Sequence, residues 1–467
     1  MTRTVQLPLW LLVLILAFAA VTAATHLLIP SVRWFLRRRA EKLVARLNDR
    51  LARPIEPFRL ARRTDLIARL SYDPVVAEAI ALEAAETGDR EDVAFERVQR
   101  YAREIVPAFS AFLYFNVATR LAKWLSWFLY DVRPGRAGLA ELAKIDPKAT
   151  VVFVMNHRSN MDYVLVTWLS RRSGALSYAV GEWARVWPLQ PLIRGMGGYF
   201  IRRRSRGQLY RTVLARYVTL ATKGGLTQAV FPEGGLSVTG GLQPPRLGIL
   251  DYMVRAGVPV VFVPVAINYD RVLEDRILTE AGREGERRFR AAPRDIARFV
   301  GRYLALRLVG RRGRFGTAAV RFGKPLDLAP GTDAEALGRV LMERIAGAVP
   351  VLAAPLVATA VLRRPGAGRA AWLKEADRLS DALREAGANV VPGAVRPERL
   401  AKALDVMERR GLVGAAAAPS GNGAKEGEAG PGGAVREPDL LRYYAASIAH
   451  LVPSGLDGAV DDPSPAS

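Results

Sequence analysis

The sequence predicts an α/β chain whose sheet region lies between two helical ones, behind an N-terminal transmembrane helix. Three observations predict it. From about residue 135 to 330, short β-type runs alternate with helical stretches. Residues 38–130, and the chain after Pro325, read mostly as helix. Leu7 to Ala24 is almost wholly apolar, and roughly 20 such residues span a bilayer core as a helix.

The elements follow in order. Only Arg3 precedes the apolar stretch, whereas Arg33, Arg37, Arg38, Arg39 and Lys42 follow it. That asymmetry favours an uncleaved anchor over a cleaved signal peptide and puts the main body in the cytoplasm, on the inner membrane. Asp73-Pro74 forms an N-cap and N1 pair for a helix over Val75 to Ala85. Residues 107–130 are dense in aromatics but interrupted by Arg120 and Lys123. Two readings stay open for them, a helix in the membrane interface or a buried one. Strand-like runs cover 150–155, 176–180, 199–201, 227–231, 258–267 and 317–322. Val349 to Leu362 is apolar but short for a bilayer span. Gly414 to Ala434, rich in Gly, Ala and Ser, reads as a flexible linker. Asp439 to Leu451 reads as an amphipathic docking helix, because so short a helix is marginal alone in water.

Composition narrows the function. The chain has 467 residues and half are hydrophobic, enough for a large core in two or more domains. A formal net charge of +23 favours anionic partners such as acidic lipid headgroups or phosphorylated substrates. The same charge suits a nucleic-acid binder, but no helix-turn-helix, zinc-finger or RNA-binding signature accompanies it, so no nucleic-acid partner is expected. The absence of cysteine excludes disulfides and thiolate chemistry, and three scattered histidines argue against a metal site.

Four short segments carry the chemistry. In the first, the apolar run Val152 to Met155 ends in a polar turn holding His157 and, five residues on, Asp162. A histidine held by a carboxylate suits general-base work near neutral pH. Ser159 and Asp162 also fit a capping box opening a helix from Tyr163 to Leu169, and the two readings are compatible. In the second, Gly197 to Arg204 ends a strand-like run in consecutive arginines, among them Arg202 and Arg203. Residues 183–232 contain nine basic residues and no acid, and arginine forks match phosphate oxygens. A solvated basic helix face touching anionic lipid is the alternative, for Arg206, Arg211 and Arg216 more than for Arg202 and Arg203. The third is Phe231-Pro232-Glu233-Gly234-Gly235-Leu236-Ser237, a strand ending in a turn whose glycines let backbone approach a ligand. The fourth, Val261 to Tyr269, is first of all a buried strand, and Pro264 is expected at its edge or at a bulge.

In this order the four segments resemble the four sequence blocks of the glycerolipid acyltransferase family. The wording His157-Arg-Ser-Asn-Met-Asp-Tyr163 is most similar to the membrane-bound bacterial glycerol-3-phosphate O-acyltransferase subgroup, as is Leu441-Arg442-Tyr443-Tyr444 to His450. The resemblance implies an acyltransferase catalytic domain over 135–330 on a mixed sheet with flanking helices. Around it stand an anchor with its basic flank (1–37), a helical region (38–134), a helical C-terminal region (331–413), a linker (414–435) and a helix with its tail (436–467). It also implies the reaction. A fatty acyl group passes from acyl-CoA or acyl carrier protein to the 1-hydroxyl of glycerol 3-phosphate, or else to the 2-position of lysophosphatidate. By the same resemblance His157 and Asp162 are catalytic; Arg202, Arg203, Glu233, Gly234, Gly235, Ser237, Arg246 and Pro264 bind substrate; and no metal or cofactor is needed. The chain departs from the pattern at Leu236, where relatives usually have an arginine, and Arg246 is the residue expected to retain a basic contact.

Overall fold

A computed structural model describes residues 8–18, 44–49, 53–171, 173–187, 189–202, 207–285, 313–329, 331–415 and 433–453, with residues 38, 42, 51, 301 and 305 singly. The chain forms two compact units, Met1–Ile55 and Glu56–Ser467. In the first, residues 9–18 are helical and, apart from the half-buried Leu11, exposed. At 1.5 Å per residue they reach about 15 Å, half of a bilayer core of roughly 30 Å. Among the described residues no helix is long and apolar enough to cross a membrane. The rest of the expected span, residue 7 and residues 19–24, lies outside the described residues.

The second unit holds a mixed sheet of eight strands, named here β1 Asp131–Pro134, β2 Thr150–Met155, β3 Ser177–Gly181, β4 Tyr199–Ile201, β5 Gln228–Val230, β6 Val260–Tyr269, β7 Thr317–Phe322 and β8 Leu326–Asp327. Their order is β1-β7-β6-β2-β5-β3-β4, with β8 also on β6. From β6 to β4 neighbours run parallel, while β7 and β8 run antiparallel to β6. Every residue of β2 and β6 is buried, the pattern of parallel strands covered on both faces. Val152, Val154 and Phe262 point into one core layer with Tyr210, Val213 and Leu341. Val151, Phe153, Met155 and Val263 alternate into the other, with Leu165, Leu356 and Tyr443.

The sheet begins at Asp131, ahead of the expected boundary at 135. A run of Asp-Val-Arg-Pro has no β pattern of its own and pairs through β7 alone. Pro264 is not on an edge strand, but the pairing beside it slips by one residue, from Phe262 opposite Leu326 to Val265 opposite Phe322, as at the expected bulge. It lies in the centre of the sheet, opposite Val154 of β2. On its other side β8 pairs with Val261 and Phe262 and β7 starts at Val265, so the missing N–H falls in the gap between the two partners.

The aromatic stretch is half buried, between its two expected readings. A π-helical turn, Leu113–Ala118, runs into the helix Thr119–Leu129. Ala118, Ala122, Ser126 and Leu129 are buried, while Phe112, Leu121, Trp124 and Trp127 are exposed. The Asp73 side chain caps its helix by accepting from the Val75 N–H at 3.0 Å, with Pro74 at the first turn. Beyond the sheet, the apolar 349–362 stretch forms the buried helix Ala353–Arg363, packed among the helices Arg369–Glu385, Pro397–Arg409 and Pro438–Ala445. The linker's ends are strands, β9 Val413–Ala415 and β10 Gly433–Val435, paired antiparallel; residues 416–432 lie outside the described residues. The C-terminal segment is a helix, Pro438–Ala445, then a 3-10 turn, Ala449–Leu451, and it buries Leu440, Leu441, Tyr443, Tyr444 and Ile448.

Candidate active site

Parallel strands present ligands at their carboxyl ends, and β2, β5 and β6 all end here beside one loop. Asn156 closes β2 by bridging to β6, donating from its amide to the Ile267 carbonyl (2.9 Å) and accepting from the Ile267 N–H (2.8 Å). His157 follows. Its backbone is gripped on both sides by the loop after β5. Glu233 Oε1 accepts from the His157 N–H at 3.0 Å, and the Ser237 N–H donates to the His157 carbonyl at 2.9 Å.

The imidazole Nδ1 lies 3.0 Å from Asp162 Oδ2. Asp162 is fully buried and also accepts from the N–H groups of Arg158 (2.8 Å) and Ser159 (3.0 Å) and from the Tyr269 hydroxyl (2.5 Å). A carboxylate held by so many donors stays in one orientation. With Nδ1 donating to Asp162, the lone pair of the neutral ring sits on Nε2, the tautomer needed to accept a proton. The ring stacks on Phe231 at 3.9 Å and meets Tyr163 edge-on at 5.4 Å, which sets its plane.

The helix Met161–Leu169 starts one residue later than the capping box requires. Its N-cap is Asn160, and Ser159 Oγ accepts from the Met161 N–H (3.1 Å) while donating to Glu274 (2.8 Å). Only half of the box survives, in the reach of Asp162 back to Ser159. Glu274 also accepts from the Asn160 N–H and side-chain amide, which oppose the upward push of burial on its pKa.

The expected substrate residues divide into those beside His157 and those elsewhere. Glu233 is 5% exposed and lies under the catalytic loop. Gly234 has φ +70°, and Arg246 crosses it so closely that a Cβ there would meet Arg246 Cδ at 2.6 Å. The Arg246 N–H donates to the Pro232 carbonyl at 2.7 Å. Ser237 Oγ closes the following turn onto Gly240 and Gly241 (3.0 and 2.6 Å). Gly235 is half-buried in the same turn, and Leu236 packs against the core. Arg202 points elsewhere. It grips the buried Glu104, with contacts of 2.7 to 3.1 Å, beside the rings of Tyr101 and Tyr210. Arg203 lies outside the described residues. Pro264 sits within β6, below the loops.

Several neighbours had no local signal in the sequence. Arg158 is buried; its guanidinium donates to the Gly240 carbonyl and lies 5.1 Å from the ring centre of Tyr443, on the C-terminal helix. Tyr269 had one clue, its place at the end of the fourth segment, at the same sheet end as His157.

Burial pushes the Glu233 carboxyl up to about 8, against the pull of the His157 N–H and the Arg158 charge. Between pH 4.5, its ordinary value, and about 8, the folded chain keeps a proton that the unfolded chain has lost. This group's contribution to stability therefore falls as pH rises through that window. Glu233→Gln keeps an acceptor for the His157 N–H without the charge. Its Tm should match wild type near pH 5 and exceed it at pH 8. A difference that stays constant between those pH values would mean the carboxyl is not perturbed.

Residues 137–268 match the Acyltransferase family. Among similar proteins are two named glycerol-3-phosphate acyltransferase. That of Pseudomonas syringae pv. tomato is 31% identical over 319 residues, 64% of this chain and 36% of its own. That of Pseudomonas fluorescens SBW25 is 33% identical over 291 residues, 59% of this chain and 32% of its own. The chain spans about a third of the length of these curated relatives. A solved 1-acyl-sn-glycerophosphate acyltransferase from Thermotoga maritima is 21% identical with a TM-score of 0.32, covering 50% of this chain and 76% of that one, a likeness too slight to build on.

Proposed function

With residues 137–268 as an acyltransferase domain, we propose that the chain moves a fatty acyl group from a thioester, acyl-CoA or acyl carrier protein, to the 1-hydroxyl of glycerol 3-phosphate. The observation that carries this reading is the buried His157–Asp162 pair at 3.0 Å, inside the matched segment and at the carboxyl end of β2. His157 Nε2 takes the proton of the acceptor hydroxyl as its oxygen attacks the thioester carbonyl. The tetrahedral intermediate collapses, the C–S bond breaks, and the imidazolium returns the proton to the leaving thiolate. Asp162 holds the tautomer and stabilises the imidazolium, and Tyr269 and the loop N–H groups hold Asp162. The His157 peptide N–H and carbonyl are both engaged, so the negative charge on the intermediate is met by other donors. Glu233 and Ser237 act on the position of His157, and Arg246 crosses the turn they form at Gly234.

Lysophosphatidate is the second reading for the acceptor. It stays open because Leu236 packs against the core where relatives of the resembled family usually have an arginine, which removes an expected contact to a phosphate that both acceptors carry. One assay separates the two: purified chain in detergent, offered glycerol 3-phosphate and lysophosphatidate, each with acyl-CoA and with acyl carrier protein. Acylation of lysophosphatidate alone would overturn the first reading, and no transfer from either donor would overturn both.

The same proposal puts the chain on the cytoplasmic face of the inner membrane, against anionic lipids. Supporting it is the exposed face of the helix Thr119–Leu129, where Trp124 and Trp127 stand beside exposed Arg120 and Lys123. Trp124→Ala with Trp127→Ala should lower partitioning onto anionic vesicles by about tenfold or more, since the two half-exposed rings together bury apolar area worth roughly 1.5 kcal/mol or more. Sedimentation with vesicles measures it; unchanged partitioning would show that another surface makes the contact.

A further inference from the structure

A cavity of about 820 Å3 lies on the other side of β6 from the catalytic loop. Its size is that of a site for a substantial small molecule (roughly 300–1,000 Å3). Two chain connections tie it to the reaction centre. Arg271, on its wall, follows by two residues the Tyr269 whose hydroxyl holds Asp162. Tyr444, also on its wall, adjoins the Tyr443 whose ring faces Arg158.

Its charge is unbalanced. Only two carboxylates line it, Asp131 and Asp270. Asp131 is shared by Arg133 and Arg399, and Asp270 is half-buried and accepts from the backbone N–H groups of Thr317 and Ala354. Arg410 is held by Asp275 at 2.6 Å. Four cations remain without an ion pair among the described residues: Arg271, Arg314, Lys402 and Arg409. Arg271 is mostly buried against the ring of Phe315 at 4.5 Å, and its Nε has no hydrogen-bond partner. Burial and the Arg410 charge both press against its ionised form. The other three are exposed at the rim. The helix Pro397–Arg409 presents Arg399, Lys402, Val406 and Arg409 to the cavity, the spacing of one helix face.

A buried, partly unpaired guanidinium inside a ring of free cations costs stability unless an anion completes it. We propose that this cavity binds the phosphate groups of coenzyme A, so that the acyl donor enters from the β6 side while its thioester reaches His157. The proposal rests on the acyltransferase reading and names the donor within it. A concave site fits the linked phosphates of a nucleotide, with Arg271 below and the rim cations around them. A folded carrier protein would place its acidic side chains on a projecting basic surface, and Arg271 lies below the reach of such a contact.

The test uses the full chain in detergent and the double variant Lys402→Glu with Arg409→Glu, both exposed and away from His157. CoA itself is titrated by calorimetry, which needs no turnover. Wild type should bind CoA, and the double variant should bind it at least tenfold more weakly. Dephospho-CoA should bind wild type more weakly than CoA and discriminate less between the two proteins. In turnover, the variant should raise KM for acyl-CoA at least tenfold while KM for glycerol 3-phosphate stays put. Equal CoA binding by both proteins would overturn the proposal, as would a variant impaired with acyl carrier protein but not with acyl-CoA, or one whose loss appears in the acceptor KM. If wild type binds CoA yet transfers no acyl group to any acceptor, the acyltransferase reading fails instead, and the titration still reports on the cavity.

Discussion

Replacing His157 with alanine should lower acyl transfer at least ~100-fold, the ordinary worth of a general base, while leaving the chain folded. Asp162 would keep its two backbone donors and the Tyr269 hydroxyl, so the buried carboxylate is not stranded. The loop would keep the Glu233 contact, which uses the peptide N–H that alanine also has, and the Asn156 side-chain contact to Ile267, in which residue 157 takes no part. Asp162→Asn isolates the charge. An amide oxygen can still accept from the Arg158 and Ser159 N–H groups, but the imidazolium loses its counter-charge. A loss close to that of His157→Ala is expected, with kcat affected more than either KM, because the deficit is felt in the transition state. Initial rates for both variants, with circular dichroism to verify folding, make the measurement. Wild-type turnover in a folded His157→Ala protein would dispose of the mechanism.

Gly240→Ala should unfold the contact between the site and the C-terminal helix. Gly240 has φ +83°, a conformation that side chains resist, and a Cβ there would lie 1.8 Å from the Tyr443 carbonyl oxygen. Neither atom belongs to a flexible side chain, so backbone must move. The movement would separate Arg158 from the ring of Tyr443 and from the Gly240 carbonyl, leaving a buried guanidinium with poorer partners. A cost of roughly 3 kcal/mol or more is expected, in the range seen when a buried charge is stranded. Gly257→Ala is the control, with φ +67° and no atom within 4 Å of the added carbon. It carries the conformational strain alone, about 1 kcal/mol. Thermal unfolding of both, with limited proteolysis of residues 436–453, checks the outcome. Equal melting temperatures for the two variants would show that the helix yields freely.

What could be read in the chain depended on how local its cause was. β2 and β6 were legible because a strand buried on both faces is an unbroken apolar run. β1 was not, because Asp131, Arg133 and Pro134 place no apolar pattern in it and only its register with β7 makes it a strand. His157 and Asp162 stood out because their link spans five residues and lies within one turn. The carboxylate at position 233 was singled out for the acceptor, yet in the fold it meets the peptide of His157. Nothing in a turn of Glu-Gly-Gly distinguishes a group that faces a ligand from one that faces backbone. Arg158 reads as a surface cation; its burial depends on Tyr443, far along the chain.

That dependence has a consequence for biosynthesis. Domains emerge from the ribosome N-terminus first, and contacts between distant residues form late. A nascent chain ending at β9 would already contain His157, Asp162, Glu233 and Tyr269. It would still lack the aromatic ring that accompanies Arg158, one residue from the base. The reaction centre is thus completed by a helix synthesised long after the motif, and a truncated product of interrupted translation would present the motif without its buttress.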